Sequence, residues 1–305
     1  MSEKLKIKFS TICFLFVFLV VIAGCATGSR TYREKTLPGN IIPEDAFLYI
    51  RADKSFFNNP SLKAETEKMT QEYGIPDFFK DKTETISVVA LEEGWEYIIA
   101  EGSYPDSFIK SRLQQSSGWK GFKYKKVKYF YGNGPGIILV SYKNNCLITA
   151  NSDSKNAEYR AEKIIDILKS DRNEVYIADS SPALHMSARK KGNSLGIFLP
   201  GSFSVENVEL MEFDLFPDPE NRNKTDITGS VTLANEKMAV VFSSVIRLFL
   251  TDYYRKEGIA DLKTMLEKNS ITYEGRKVFI SITDIPMENL GTLMKSMRVK
   301  SKLER

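Results

Sequence analysis

The feature that most constrains the fold is the recurrence of short runs rich in Val, Ile, Tyr, Phe and Ala, each stopped by Gly, Asn, Asp or Pro. Such runs suit pleated, half-buried strands. Strands are expected at 46–52, 85–91, 95–101, 122–131, 136–141, 146–150, 183–188, 195–199, 208–215, 226–233, 271–273 and 277–283. The second and third close as a hairpin through Glu92-Glu93-Gly94. Helices are expected at 61–71, 106–115, 157–168, 235–255, 260–268 and 286–297, the third marked by Ala157, Ala161, Ile164, Ile165 and Leu168. Runs of strands closed by hairpins and broken by single helices give an α+β fold, with antiparallel or mixed sheets and helices on one face.

The stretch from Met238 to Leu250 is apolar nearly all round the helix and interrupted by Arg247. It reads as a core helix between layers, too short to cross a bilayer. Two similar halves packed side by side are one reading of three short matches: Pro43 with Pro182, Gly102-Ser103 with Gly229-Ser230, and Lys126-Val127 with Lys277-Val278. Chance matching in any α+β chain is the other. Composition excludes disorder and a multi-span membrane protein, since 42% of residues are hydrophobic, 27% charged, and the mean hydropathy is −0.26.

Residues 1–24 read as an export signal. Lys4, Lys6 and Lys8 precede an uncharged apolar stretch at 12–23, well short of the about 20 residues a spanning helix needs. At its end, Ile22-Ala23-Gly24-Cys25 sets an aliphatic residue and two small residues before a cysteine. This segment resembles the lipobox of bacterial lipoproteins. The resemblance implies that Cys25 receives a diacylglyceryl thioether, that cleavage precedes it, and that the new amine is acylated. Several acyl chains, at about 0.8 kcal/mol per buried CH₂, make a stable anchor.

Cleavage there removes three lysines and Glu3, leaving 40 basic and 38 acidic side chains. A net charge of +2 gives no argument for nucleic acid. Cys13 leaves with the signal and Cys25 is taken by lipid, so no disulfide within the chain is open to Cys146. The organisation is therefore a signal at 1–24, a lipidated cysteine and polar tether at 25–42, an N-terminal α+β half at 43–172 and a C-terminal α+β half at 173–305. The fold is expected to start near Pro43 and the halves to part near the polar stretch 170–174.

Chemistry-bearing motifs are sparse. Gly192-Asn193-Ser194-Leu195-Gly196 fits G-x-S-x-G, but the serine leads into a strand, and the single histidine, His185, comes before it in the chain. The nucleophile elbow needs a following helix and a later histidine, so a turn is the better reading. His185 alternates with Leu184 and Met186 as an ordinary strand residue, and Cys146 opens a strand as a small buried hydrophobe. The loop 132–136 reads as a hairpin turn, and 218–226 as a solvated loop whose Arg222 and Lys224 oppose calcium. Asp106 and Asp214 are carboxylates that no spacing pairs. No catalytic residue, metal ligand or cofactor is assigned.

The informative surface feature is 120–131, where Lys120, Lys123, Lys125, Lys126 and Lys128 interleave with Phe122, Tyr124, Tyr129, Phe130 and Tyr131. Lysines on an exposed strand protect an edge, and the same pattern suits an anionic surface or acidic partner. A second basic run ends the chain at 295–305 and reads as a solvated end. The sequence thus leads to a lipid-anchored bacterial envelope protein, facing outside the cytoplasm and serving as a non-catalytic binding or assembly component with an envelope protein partner. A carrier of a small apolar ligand or lipid, walled by the helix at 238–250, and an enzyme with an unrecognised site are the alternatives.

Overall fold

The computed structural model describes residues 38–57, 59, 82–103, 118–132, 137–141, 146–151, 156–170, 173–176, 182–190, 207–218, 220–221, 223–256 and 267–287. Expected elements at 61–71, 106–115 and 195–199 lie outside these, as do 260–266 of the helix expected at 260–268, 288–297 of the one expected at 286–297, the signal, Cys25, Asp106 and the Gly192–Gly196 motif.

Fourteen strands are found among the described residues. A two-stranded ribbon joins β1 (Ile41–Ile42) to β9 (Glu174–Val175). The other twelve form one sheet: β2 (Ala46–Asp53), β3 (Thr83–Leu91), β4 (Glu96–Gly102), β5 (Trp119–Tyr124), β6 (Val127–Gly132), β7 (Ile137–Ser141), β8 (Cys146–Asn151), β10 (Leu184–Arg189), β11 (Val208–Pro217), β12 (Lys224–Leu233), β13 (Ser270–Glu274) and β14 (Lys277–Pro286). Their spatial order is β13-β14-β12-β11-β10-β2-β3-β4-β8-β7-β6-β5, every neighbouring pair antiparallel. The α+β, largely antiparallel architecture expected from the sequence is present, and α1 (Lys54–Phe57), α2 (Ala157–Leu168) and α3 (Glu236–Lys256) accompany it.

One cross-sheet row takes a residue from every strand: Lys120, Tyr131, Ile138, Ala150, Tyr97, Val89, Tyr49, Ser187, Glu212, Ser230, Phe279 and Thr272. Side chains alternate between faces along a strand, so paired positions share a face. Two apolar clusters follow, one on each face. Tyr49, Val89, Tyr97, Ile99 and Ile148 pack under α2, whose Ala157, Ala161, Ile164, Ile165 and Leu168 are all buried. Ile50, Val88, Ile98, Met211 and Val231 pack on the other face with Ala239, Phe242, Leu250 and Tyr254 of α3.

The two long helices therefore lie on opposite faces, and the expectation of helices on one face does not hold for them. Nor is α3 buried all round. Val241 is 52% exposed, Leu248 70% and Phe249 59%. Hydropathy alone could not separate a buried helix from one with an apolar outer side.

Three further boundaries differ from the sequence reading. The expected strand at 122–131 is a hairpin, β5–β6, whose turn residues Lys125 and Lys126 adopt left-handed φ of 43° and 69°. Two lysines carry none of the Gly or Asn signal that normally marks such a turn. The single sheet also runs unbroken through the expected boundary of the halves by the pairing of β2 with β10, while Glu174 and Val175 at that boundary form β9.

The fold also starts before Pro43. Gly39 donates its N–H to Glu101 Oε1 at 3.0 Å, and its carbonyl accepts from Tyr49 Oη at 2.6 Å and Ser87 Oγ at 2.8 Å. A Cβ on Gly39 would lie 2.8 Å from Glu101 Oε2 and 2.9 Å from Ser87 Oγ, so the close approach itself requires glycine. Polar composition reads as tether, but here the backbone of that segment is what the sheet binds.

Candidate functional site

The face that α2 covers in the N-terminal half continues onto β10, β11, β12 and β14, where it turns polar. The ribbon β1–β9 crosses it there, and no described helix covers it. A cleft of about 450 Å³ opens at this place, lined by Tyr176, His185, Ser187, Glu212, Asp214, Ser230 and Phe279 among others. That volume falls within the about 300–1,000 Å³ typical of small-molecule sites.

His185 and Asp214 are register partners on β10 and β11, and Nδ1 lies 2.8 Å from Asp214 Oδ1. A carboxylate can only accept, so Nδ1 carries the proton of this pair and Nε2 is left for a second partner. The Tyr176 ring stacks on the imidazole with centroids 3.9 Å apart, and its hydroxyl donates to the same Asp214 oxygen at 3.4 Å. Burial, reinforced by the Asp214 charge, raises the Tyr176 phenol well above its ordinary pKa, so it remains a donor. Tyr49 closes the inner side, its ring centroid 5.9 Å from that of His185, and burial raises its phenol likewise.

Beside this pair the row Ser187, Glu212, Ser230 crosses three strands. Ser187 is 4% exposed and Ser230 8%, and neither hydroxyl nor the Glu212 carboxylate has a hydrogen-bond or ionic partner among the described residues. The hydroxyls and the carboxylate open on the cleft, where solvent or a ligand can reach them. Arg189 at the rim is committed to Glu174. The sequence reading treated His185 as ordinary and left Asp214 unpaired. The signal that could have joined them is their place on one face of strands that are consecutive among the described elements, and it is readable only once register is known.

A larger groove, of about 540 Å³, lies between α2 and the chain entering β2. Several of its charges are already engaged, since Lys163 bridges Asp45 and Glu93 and Asp166 receives Lys125 at 2.7 Å. It is held together as structure.

The lysine-rich segment is divided by the hairpin. Lys123 and Lys128 are register partners on the face of Phe130, whereas Lys120 belongs to the opposite face with Tyr129, Tyr131 and Phe122. Lys125 is tied to Asp166, its carbonyl accepts from Lys169, and Tyr124 also donates to Asp166 at 3.2 Å. Lys126 stands beside it in the turn. The structure thus does not gather Lys120, Lys123, Tyr124, Lys125, Lys126 and Lys128 into one surface. Phe122 stacks on both Tyr129 and Tyr131, at 5.5 and 5.1 Å, so the aromatics serve the hairpin. Cys146 is buried in the apolar cluster under α2. Asp218 accepts the N–H groups of Glu220 and Asn221, capping its own turn, and no metal-holding cluster occurs among the described residues.

No protein-family model matches the chain, and no curated protein matches it. Among solved structures it is similar to TP0453 in three crystal forms. Form III has a TM-score of 0.55 and 16% identity, covering 87% of this chain and 99% of that one. Form IV gives 0.53 and 14%, covering 83% and 96%. Form I gives 0.52 and 15%, covering 87% and 98%. Identity at this level speaks for a shared fold alone.

Proposed function

We propose that this chain is a lipid-anchored bacterial envelope protein whose folded part is a non-catalytic binding component, with the polar cleft as its binding site. The address rests on Ile22-Ala23-Gly24-Cys25. The binding role is carried by one observation: the hydroxyls of two little-exposed serines and a carboxylate line an open cleft without a partner among the described residues. A ligand with complementary polar groups can take the place of water there. The His185–Asp214 pair orients an imidazole at the same place and is read as a recognition element.

An envelope protein partner is the second reading, favoured by the outward apolar side chains of α3, Val241, Val245, Leu248 and Phe249. The reading of two similar halves gains support from the strand order. A meander β2-β3-β4 followed by β8 and β7 faces a meander β10-β11-β12 followed by β14 and β13, outward from the central β2–β10 pair. Pro43 and Pro182 enter equivalent strands in that scheme, whereas Lys126-Val127 and Lys277-Val278 do not.

Two experiments test the proposal. Cys25→Ser should abolish palmitate incorporation and leave an uncleaved precursor, and continued labelling would overturn the anchor. Native mass spectrometry of the protein purified from its envelope should show a bound small molecule that is lost in a Ser187→Ala, Glu212→Gln, Ser230→Ala variant. Equal retention by the variant, or no bound species with the wild type, would overturn the cleft.

A further inference from the structure

Resting on that reading of the cleft, we infer that its ligand is a neutral, hydroxyl-rich saccharide. The argument is one of donor and acceptor types. Glu212 offers a carboxylate that can only accept, and the flanking hydroxyls of Ser187 and Ser230 both donate and accept. His185 Nε2, with Nδ1 engaged by Asp214, adds a further hydrogen-bonding atom on the neighbouring row. Such a mixed floor matches vicinal hydroxyl groups, each of which is at once donor and acceptor.

A cationic ligand fits less well. Asp214 is engaged by His185 and Tyr176, and Glu174 by Arg189, so one carboxylate remains, and the guanidinium of Arg189 stands at the rim. Lys277 Nζ lies 5.4 Å from the Phe279 ring centroid, which gives that end of the cleft a positive charge of its own. An anion would meet Glu212 and Asp214. A neutral polar ligand avoids all three conflicts. The aromatic rings add the other half of the recognition: Phe279, 38% exposed, stands at one end of the polar row and Tyr176 at the other side of the cleft. Rings of this kind take the apolar C–H faces of a sugar while the floor takes its hydroxyls.

The test is titration of the purified mature protein against chitotriose, maltotriose and cellotriose, with spermidine and citrate as cationic and anionic probes, read by calorimetry and by chemical shift. At least one trisaccharide should bind, with affinity reduced tenfold or more by Glu212→Gln and by the rim change Phe279→Ala, while thermal melting confirms that both variants fold. Binding of spermidine alone, lost in Glu212→Gln, or of citrate alone, strengthened in Glu212→Gln, would overturn the saccharide and leave the cleft standing as a binding site. Saccharide binding unaffected by either change would place the ligand elsewhere. No binding by any probe would overturn the inference, and an empty wild-type protein by native mass spectrometry would then remove the broader reading as well.

Discussion

One face of one sheet is built in two ways. Over β2, β3, β4, β8 and β7 it carries Tyr49, Val89, Tyr97, Ile148 and Val140, closed beneath α2. Across the β2–β10 seam the same rows continue as Ser187, Glu212 and Ser230, and as His185, Asp214 and Thr228. The opposite face shows no such change, since Leu184, Ala188, Met211 and Val231 there remain in the apolar cluster. The strands are equally able to be apolar on both sides. The polarity of the second region thus goes with the lack of a covering helix on that face among the described residues.

The comparison breaks most readily at the covered end. Ile164→Ala empties a fully buried position under α2 and should cost about 2–5 kcal/mol in denaturant unfolding. A loss below about 1 kcal/mol would mean that α2 does not seal that face. Next is the seam. Glu101 Oε2 accepts from Arg51 at 3.3 Å and Thr85 at 2.9 Å, while Oε1 holds Gly39. Glu101→Ala should cost about 3 kcal/mol, because it leaves a half-buried guanidinium and a backbone N–H unpaired. It should also speed amide exchange at residues 39–42, and unchanged exchange there would contradict the clamp on Gly39.

A polar group on the N-terminal side sharpens the contrast. Burial pushes the Glu96 carboxyl up to about 7, opposed by the charge of Arg160. Its folded pKa is raised, so its protonated form stabilises the fold at low pH and that stabilisation is lost as pH rises from about 4.5 through about 7. Relative to Glu96→Gln, wild-type stability should fall by about 3 kcal/mol across that window. A constant difference between the two proteins would remove the assignment. The smallest effect is expected in the cleft, where Ser187→Val should change stability by less than about 0.5 kcal/mol, or raise it, since it removes an unpartnered hydroxyl. Tyr97→Phe, at a fully buried hydroxyl also without a partner, provides the matched control under α2.

Much of the strand content was legible locally. Period-two runs placed β2, β3, β4 and β8 within two or three residues, and the spacing of Ala157, Ala161, Ile164, Ile165 and Leu168 fixed α2. Local pattern failed where the determining contact was distant. The Lys125–Lys126 turn is held by Asp166 of α2 and by Lys169 just past its end, some forty residues on. The ribbon strands β1 and β9 are two residues each, too short for any period, and exist by pairing across the chain.

By itself the sequence determined the many-stranded α+β class and the amphipathic face of α2, because each depends on residues adjacent in the chain. Which strands become neighbours was decided by tertiary structure alone, since register follows from burial of whole faces and not from any one segment. That choice set His185 opposite Asp214 and Ser187 opposite Glu212. It also sent α2 and α3 to opposite faces, and so left one polar stretch of the sheet with no helix over it among the described elements.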